Sequence, residues 1–323
     1  MQKRESPCLS IVFCIDTTPG TECIRTHDKS KSQSCKTERK LEARQSIVGR
    51  LLWICRTARP DMSHMASAFG ARVLTWDLAV DRELGKTMGY LLLSHDATLV
   101  FRWPKDRESL DPDQVHNTIY TDADWMEPRS QSGVIAMLQT GSDEDAPSGS
   151  LPIHWGSKKQ PLASDSSTSA EIIACHYGLR EAHPVMLALT DFLFERGLLK
   201  QRPTVTLRVD NMTCLRHINK SYTDTFFAYS KACAVRISLL SDLRELGIIA
   251  ASHVKSAINP ADVFTKVFAQ FDFLDKARQT GLEFPSDSAV LRANVARRSR
   301  LWRRQSPRCW YEDLTSISWF ASG

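Results

Sequence analysis

Four acidic residues stand where strand-like patterns end or helical patterns begin: Asp122 in TIYTDADW, Glu171 opening a long helix, Asp210 closing LRVD, and Asp262 just after Pro260. Element ends of this kind gather at one edge of a sheet. Carboxylates held together repel one another and resist ionisation unless cations occupy the cluster, and a donor set made only of oxygens suits Mg2+ or Mn2+. Two such ions about 4 Å apart can clamp the attacking and leaving oxygens of a phosphodiester. The chemistry this pattern points to is metal-assisted strand cleavage.

Each position also has a plainer explanation. Thr168-Ser169-Ala170-Glu171 fits a capping box, in which the glutamate only satisfies an amide at a helix start. Asp210-Asn211 fits a simple cap or turn. Asp262, following Asn259-Pro260, is placed as a first-turn carboxylate favoured by the helix dipole. Asp122 and Asp124 are two residues apart on one strand and share a face, so period alone does not choose between them.

The elements that must position these groups are read from periodicity and punctuation. Residues 1–40 mix Ser, Thr, Lys and Cys without a sustained period, KSKSQSCKTERK reads as a linker, and no fold is assigned there. Ile47, Leu51, Leu52, Ile54 and Cys55 fall on helical spacing until Arg59-Pro60-Asp61 interrupts it, and helices are expected at about 62–73 and 78–92 before the strand-like ATLVFRW. This makes a small helical module over 41–104, followed by a polar linker over 105–117. From Thr118 the pattern predicts strands at TIYTDADW, 132–139 and 151–157 around the acidic loop GSDEDAPSGS. A helix over 168–197 follows, then a strand at 204–210, helices near Asn211 and over 225–246, a strand at 248–254, and a short helix after Pro260. Hairpin strands followed by strands separated by helices require an α/β fold with a mixed sheet and helices packed on it.

The stretches YTDADW, RSQSG, HWGSKKQP, SSTSAEIIA, LRVDN and NPADVFTK, in this order and spacing, resemble the ribonuclease H domain of copia-type retrotransposon Pol polyproteins. The resemblance runs from about Thr118 to Phe268, and SIVGRLLWICRTARPDMSHMAS looks like the connection segment that follows the reverse transcriptase core in those polyproteins. It implies a ribonuclease H-like domain over 118–275, built on a five-stranded mixed sheet flanked by helices. It also implies endonucleolytic cutting of the RNA strand of RNA/DNA hybrids with two Mg2+ (or Mn2+) ions. By motif position Asp122, Glu171, Asp210 and Asp262 would be the ligands, with Asp124 beside them rather than among them.

Lys158 and Lys159, before the helix that carries Glu171, are candidates for nucleic-acid binding through phosphate, as is Arg236; solvated surface charges are the plain alternative for all three. The sequence departs from the family in places. Cellular ribonucleases H commonly carry a mobile His in the loop before the last Asp, and VKSAINPAD has none; His253 precedes it, where a structural role is expected. The segment around Ser230, Lys231 and Arg236 lacks the family's customary His. No Tyr-x-Asp-Asp string occurs, so a polymerase core is not expected. The chain then reads as a fragment of a longer Pol polyprotein, whose remainder would be a partner, or as a free-standing descendant, active or surviving as a nucleic-acid-binding relic. A transposase or integrase would need a different acidic triad.

Composition fits this class. The chain has 323 residues, 42% hydrophobic and 24% charged, with a net charge of +5. No apolar run approaches the ~18 residues of a spanning helix, so no membrane partner is expected. Seven Arg and no acid lie between Arg292 and Arg308, leaving the remainder of the chain at −2. With Trp302 and Trp310 interleaved, this basic tail (276–323) can grip phosphate and stack on bases, or stay solvated. Leu9 to Ile15 follows Lys3 and Arg4 but lacks a small-residue cleavage site, and nine Cys in no metal-binding spacing suit free thiols. A cytoplasmic or nuclear protein, not a secreted one, is expected.

Overall fold

The computed structural model describes residues 29–102, 114–126, 128–143, 145–220, 230–268 and 270–284, with the side chains of 29–40, 270 and 271 outside that description. Residues 1–28, the Arg-rich segment 292–308 and most of the expected linker 105–117 therefore lie outside it. The chain divides into two compact units, Met1–Glu42 and Ala43–Gly323. Within the first, the described residues are the start of helix α1, which spans Lys29–Thr57. A linker was expected there. The stretch contains no Pro or Gly, and its Lys, Gln, Glu and Arg favour helix without any apolar period.

In the second unit α1 is followed by a 3-10 turn at Pro60–Met62, α2 (Ser63–Arg72) and α3 (Leu78–Leu93). Val48, Leu51, Cys55, Met62, Ala66, Phe69 and Val80 form their shared core. The Arg59-Pro60-Asp61 break is more than punctuation. Buried Arg59 donates to Asp61 from Nε (3.0 Å) and Nη2 (2.8 Å), and to the Ser94 carbonyl from Nη1 (2.9 Å), while the Tyr90 hydroxyl donates to Asp61 at 2.5 Å. Every charge in this pair has a partner, which is the condition under which burying it is tolerable.

Strands β1 (Thr98–Leu99), β2 (Val115–Asp124), β3 (Gln131–Thr140) and β4 (Gly149–Lys159) are followed by α4 (Ser167–Glu195), β5 (Val205–Val209), α5 (Met212–Asn219), α6 (Lys231–Glu245) and β6 (Ile249–His253). Two 3-10 turns, Ser256–Ile258 and Pro260–Phe264, lead to α7 (Gln270–Gln279) and β7 (Leu282–Glu283). The expected short helix after Pro260 is thus a 3-10 turn. The main sheet has the order β4-β3-β2-β5-β6. β2, β3 and β4 pair antiparallel, and β2, β5 and β6 run parallel. This is the five-stranded mixed α/β sheet flanked by helices that the resemblance implies. Neither α7 nor β7 was expected; β7 pairs antiparallel with β1, so residues 282–283 close on the helical module's own strand.

Alternation along β2 and β3 sends Ile119, Val134 and Ala136 toward a core shared with α4, α5 and α6. It sends Tyr120, Ile135 and Met137 toward Val254, Ala261, Val263 and Phe264. Two glycines set how closely these layers approach. A Cβ on Gly178 of α4 would stand 2.6 Å from Thr121 Cγ2 and 3.1 Å from Val134 Cγ2. A Cβ on Gly133 would stand 2.8 Å from the Ala261 oxygen, Phe264 Cβ and Thr265 Cγ2. In an open helix Gly→Ala gains about 1 kcal/mol. For Gly178→Ala we expect the opposite sign, a loss of about 1–3 kcal/mol from overpacking against β2 and β3. Urea titration of the variant checks this, and a gain in stability would mean that α4 stands further from the sheet.

Candidate active site

Asp122 shares the face of Tyr120 and meets the Pro260–Phe264 turn across Gly133, its pairing partner on β3. Asn259 holds that turn in place. Its Oδ1 accepts from the Ala261 amide (3.1 Å) as the cap, and its Nδ2 donates to the Thr121 carbonyl (3.2 Å), tying the turn to β2 beside Asp122. Asp262 in the first turn is thereby carried to the end of β2. β5 runs parallel beside β2 and ends one residue before Asp210. One carboxylate oxygen from each of Asp122, Asp210 and Asp262 comes within 4.8 Å of the others. Asp122 and Asp262 are buried and Asp210 is half-buried.

The plain alternatives for these residues are decided by which neighbour does the capping. The N-cap of α4 is Ser166, whose Oγ accepts from the Ser169 amide at 3.2 Å. The capping box centred on Thr168 is therefore not formed. Glu171 lies a turn inside the helix, and its Oε1 accepts from the Ala123 amide of β2 at 3.3 Å. Asn211 caps α5 through bonds from Thr213 and Cys214, both 3.0 Å, which frees Asp210 to accept from Ser256 Oγ at 2.7 Å.

The electrostatics are those of a crowded anionic site. Burial is the main cause that raises Asp122 to about 6; the Lys266 ammonium pulls the other way, and Asp262 and Asp210 push it up further. Burial likewise holds the Glu171 carboxyl well above its ordinary range, reinforced by Asp122, Cys175 and Asp210. Among the described residues Glu171 Oε2 is buried with no hydrogen-bond partner. A buried orphan oxygen beside three converging carboxylates fits a divalent cation as the missing partner, and the all-oxygen donor set fits Mg2+ or Mn2+.

Two residues of the NPADVFTK string with no expected role stand in this cluster. Lys266 Nζ donates to Asp122 Oδ1 (3.1 Å) and Asp262 Oδ1 (2.6 Å), and Thr265 Oγ1 donates to Asp122 Oδ2. Lys276 of α7 donates to Asp262 Oδ2 at 2.7 Å. Their only sequence signal is the i,i+4 spacing of Asp262 and Lys266. The helical module also reaches this region, where His64 Nδ1 donates to the Phe264 carbonyl (3.1 Å) and Gln131 Nε2 donates to Ser67 Oγ (3.2 Å). His253 is exposed at the end of β6.

Lys158, Lys159 and Arg236, separated by up to 78 positions, line one cleft of about 290 Å3, with His176, Tyr177 and Arg180 of α4. Lys158 Nζ lies 5.6 Å from the centre of the Tyr177 ring. Among the described residues Arg236 Nε is buried without a partner. Burial lowers the pKa of His176, helped by Arg236 and Arg180. In the ladder Ala123 pairs with Ser132 and Ser132 with Lys158, so Lys158 lies two strands, about 10 Å, across from the end of β2. On the far side of the chain the acidic loop is pinned by Asp145, which pairs with buried Arg208.

No family model and no curated protein matches this chain. Among solved structures it is similar to RNase H1 from the halophilic archaeon Halobacterium salinarum NRC-1, at 17% identity over 50% of this chain and 98% of that one, with a TM-score of 0.30. It is similar to the N-terminal RNase H domain of a Mycobacterium tuberculosis protein, at 16% identity over 51% and 98%, with a TM-score of 0.30. It is also similar to the foamy viral protease-reverse transcriptase in complex with RNA/DNA hybrid, at 14% identity over 49% of this chain and 19% of that one, with a TM-score of 0.29.

Proposed function

We propose that this chain is a divalent-metal-dependent endoribonuclease that hydrolyses the RNA strand of RNA/DNA hybrids, descended from or belonging to a copia-type retrotransposon Pol polyprotein. The observation that carries this reading is the convergence of Asp122, Asp210 and Asp262 within 4.8 Å, from three distant segments, beside the orphaned oxygen of Glu171. These four carboxylates would hold two Mg2+ or Mn2+ ions. Once bound, the ions would supply an activated water and stabilise charge on the leaving oxygen. The chain's own residues do the rest. Ala123 fixes Glu171 through its amide, Asn259 and Gly133 set how closely Asp262 approaches β2, and Ser256 orients Asp210.

Substrate is held by the basic cleft. The Lys158 backbone lies two strands, about 10 Å, from the end of β2, a spacing that one or two phosphates along a strand would span. Double substitution of Lys158 and Arg236 by Ala is expected to weaken hybrid binding and to lower the slope of log K against log salt by about 0.9 per lost phosphate contact. Binding titrations between 50 and 200 mM salt measure it; an unchanged slope removes the cleft from the interface. Cleavage of a labelled hybrid by the purified chain, with Mg2+ and with chelator, tests the activity itself. Hybrid binding without cleavage under any divalent cation would instead support the second reading, a nucleic-acid-binding relic, which the lysine pairing of Asp122 and Asp262 favours.

A further inference from the structure

We propose that Lys266 is an internal counter-cation of the carboxylate cluster, one that a divalent ion must displace, and that its neighbour Lys276 is a fixed clamp on Asp262. The inference rests on the metal-site reading above. The two lysines reach the same aspartate in different ways. Lys276 Nζ donates to Asp262 Oδ2 at 2.7 Å and also to the carbonyls of Ser256 (2.7 Å), Ala257 (3.1 Å) and Asn259 (3.3 Å), with a side chain only 12% exposed. All of its donors are committed to the two consecutive 3-10 turns, so it joins α7 to the segment that presents Asp262. It has nowhere else to go.

Lys266 has no such anchorage. Among the described residues its ammonium donates to two acceptors, Asp122 Oδ1 and Asp262 Oδ1, and its side chain is 37% exposed. It lies between oxygens of two of the three residues that converge, the position at which a cation neutralises the cluster with least movement of the backbone. A monovalent ammonium on a flexible four-carbon stem is a weaker and more mobile partner for several carboxylates than a divalent ion is, and its solvent-facing stem gives it a way out. Held in, Lys266 lets the buried carboxylates of the metal-free chain persist together. Swung out, it leaves the oxygens to the metal and stays at the rim of the site. The cation concentration at which the site loads is then set partly by this lysine.

Calorimetric titration of Mn2+ into the full chain tests this, with the variants Lys266→Met and Lys266→Gln, and Asp210→Asn as the chain lacking a carboxylate. Both Lys266 variants are expected to bind Mn2+ at least about five-fold more tightly than the parent, because the competing positive charge is gone. Their metal-free forms are expected to melt lower and to gain more on adding metal. A merely structural lysine would not tighten the affinity. If either variant is unfolded without metal, the Mn2+ midpoint of its folding, followed by circular dichroism, gives its affinity once corrected for the metal-free folding equilibrium measured by denaturant titration. Equal or weaker affinity in both variants overturns the inference while the carboxylate site stands, provided the parent binds Mn2+ and Asp210→Asn does not. Absence of Mn2+ binding by the parent defeats both.

Discussion

Asp210→Asn is expected to lower hybrid cleavage on the order of 10³-fold, about 4 kcal/mol of transition-state stabilisation, while leaving the fold intact. The side chain is half-buried and keeps its size, so the substitution opens no cavity, and an amide oxygen still accepts the Ser256 hydroxyl that now meets Asp210 at 2.7 Å. What is lost is one negative charge at the point where three carboxylates come within 4.8 Å. A change in charge with no change in packing separates chemistry from stability. Single-turnover cleavage rates beside a melting curve make the comparison, and unchanged turnover in a normally folded variant would take Asp210 out of the site. Loss of both activity and fold would point to a structural role for the Asp210–Ser256 bond.

The second large effect concerns stability and pH in the metal-free chain. Asp122 is raised from 3.8 to about 6, chiefly by burial, and Glu171 is raised by burial and by Asp122. A carboxyl whose folded-state pKa lies above its unfolded value binds its proton more tightly in the folded chain, so its contribution favours folding at low pH and is lost as pH rises through that window. Without metal, the Asp122 contribution should therefore fall between about pH 4 and 6, by up to about 3 kcal/mol at 1.36 kcal/mol per unit. Millimolar Mg2+ should reverse the fall, because the cation stabilises the ionised carboxylates of the folded state. Glu171→Gln should stabilise the metal-free chain above neutral pH, since its Oε1 still accepts from Ala123 while the charge is removed. The same variant should show a smaller melting-temperature rise on adding metal. Melting curves across pH, with and without Mg2+, decide the matter; an identical metal response in the two proteins would exclude Glu171 from the site.

Much of the architecture is legible in the sequence because its signals are local. Alternation at TIYTDADW, a turn-forming loop before HWGSKKQP, and the apolar period after Glu171 depend only on near neighbours. The strands of the main sheet and α4 accordingly lie within a few residues of their expected bounds. The order of the acidic motifs likewise picked out the three aspartates that converge, while Glu171, expected with them, meets the Ala123 amide outside that three-residue group. What each carboxylate does was not local. Whether Glu171 caps a helix or faces β2 was decided by Ser166 taking the cap, and Asp210 became available because Asn211 took the next one. Lys266 meets Asp122 across 144 positions, a pairing that no window of sequence contains, and Lys158 meets Arg236 only because α4 and α6 pack on the same face of the sheet. Arg59-Pro60-Asp61 read as a helix break, and tertiary burial turned it into a fully partnered ion pair that holds the helical module together. Backbone periodicity is an i to i+4 property written in the chain. Charge compensation in a buried site is set by distance in space, and the fold alone determines which charges come within 3 Å of one another.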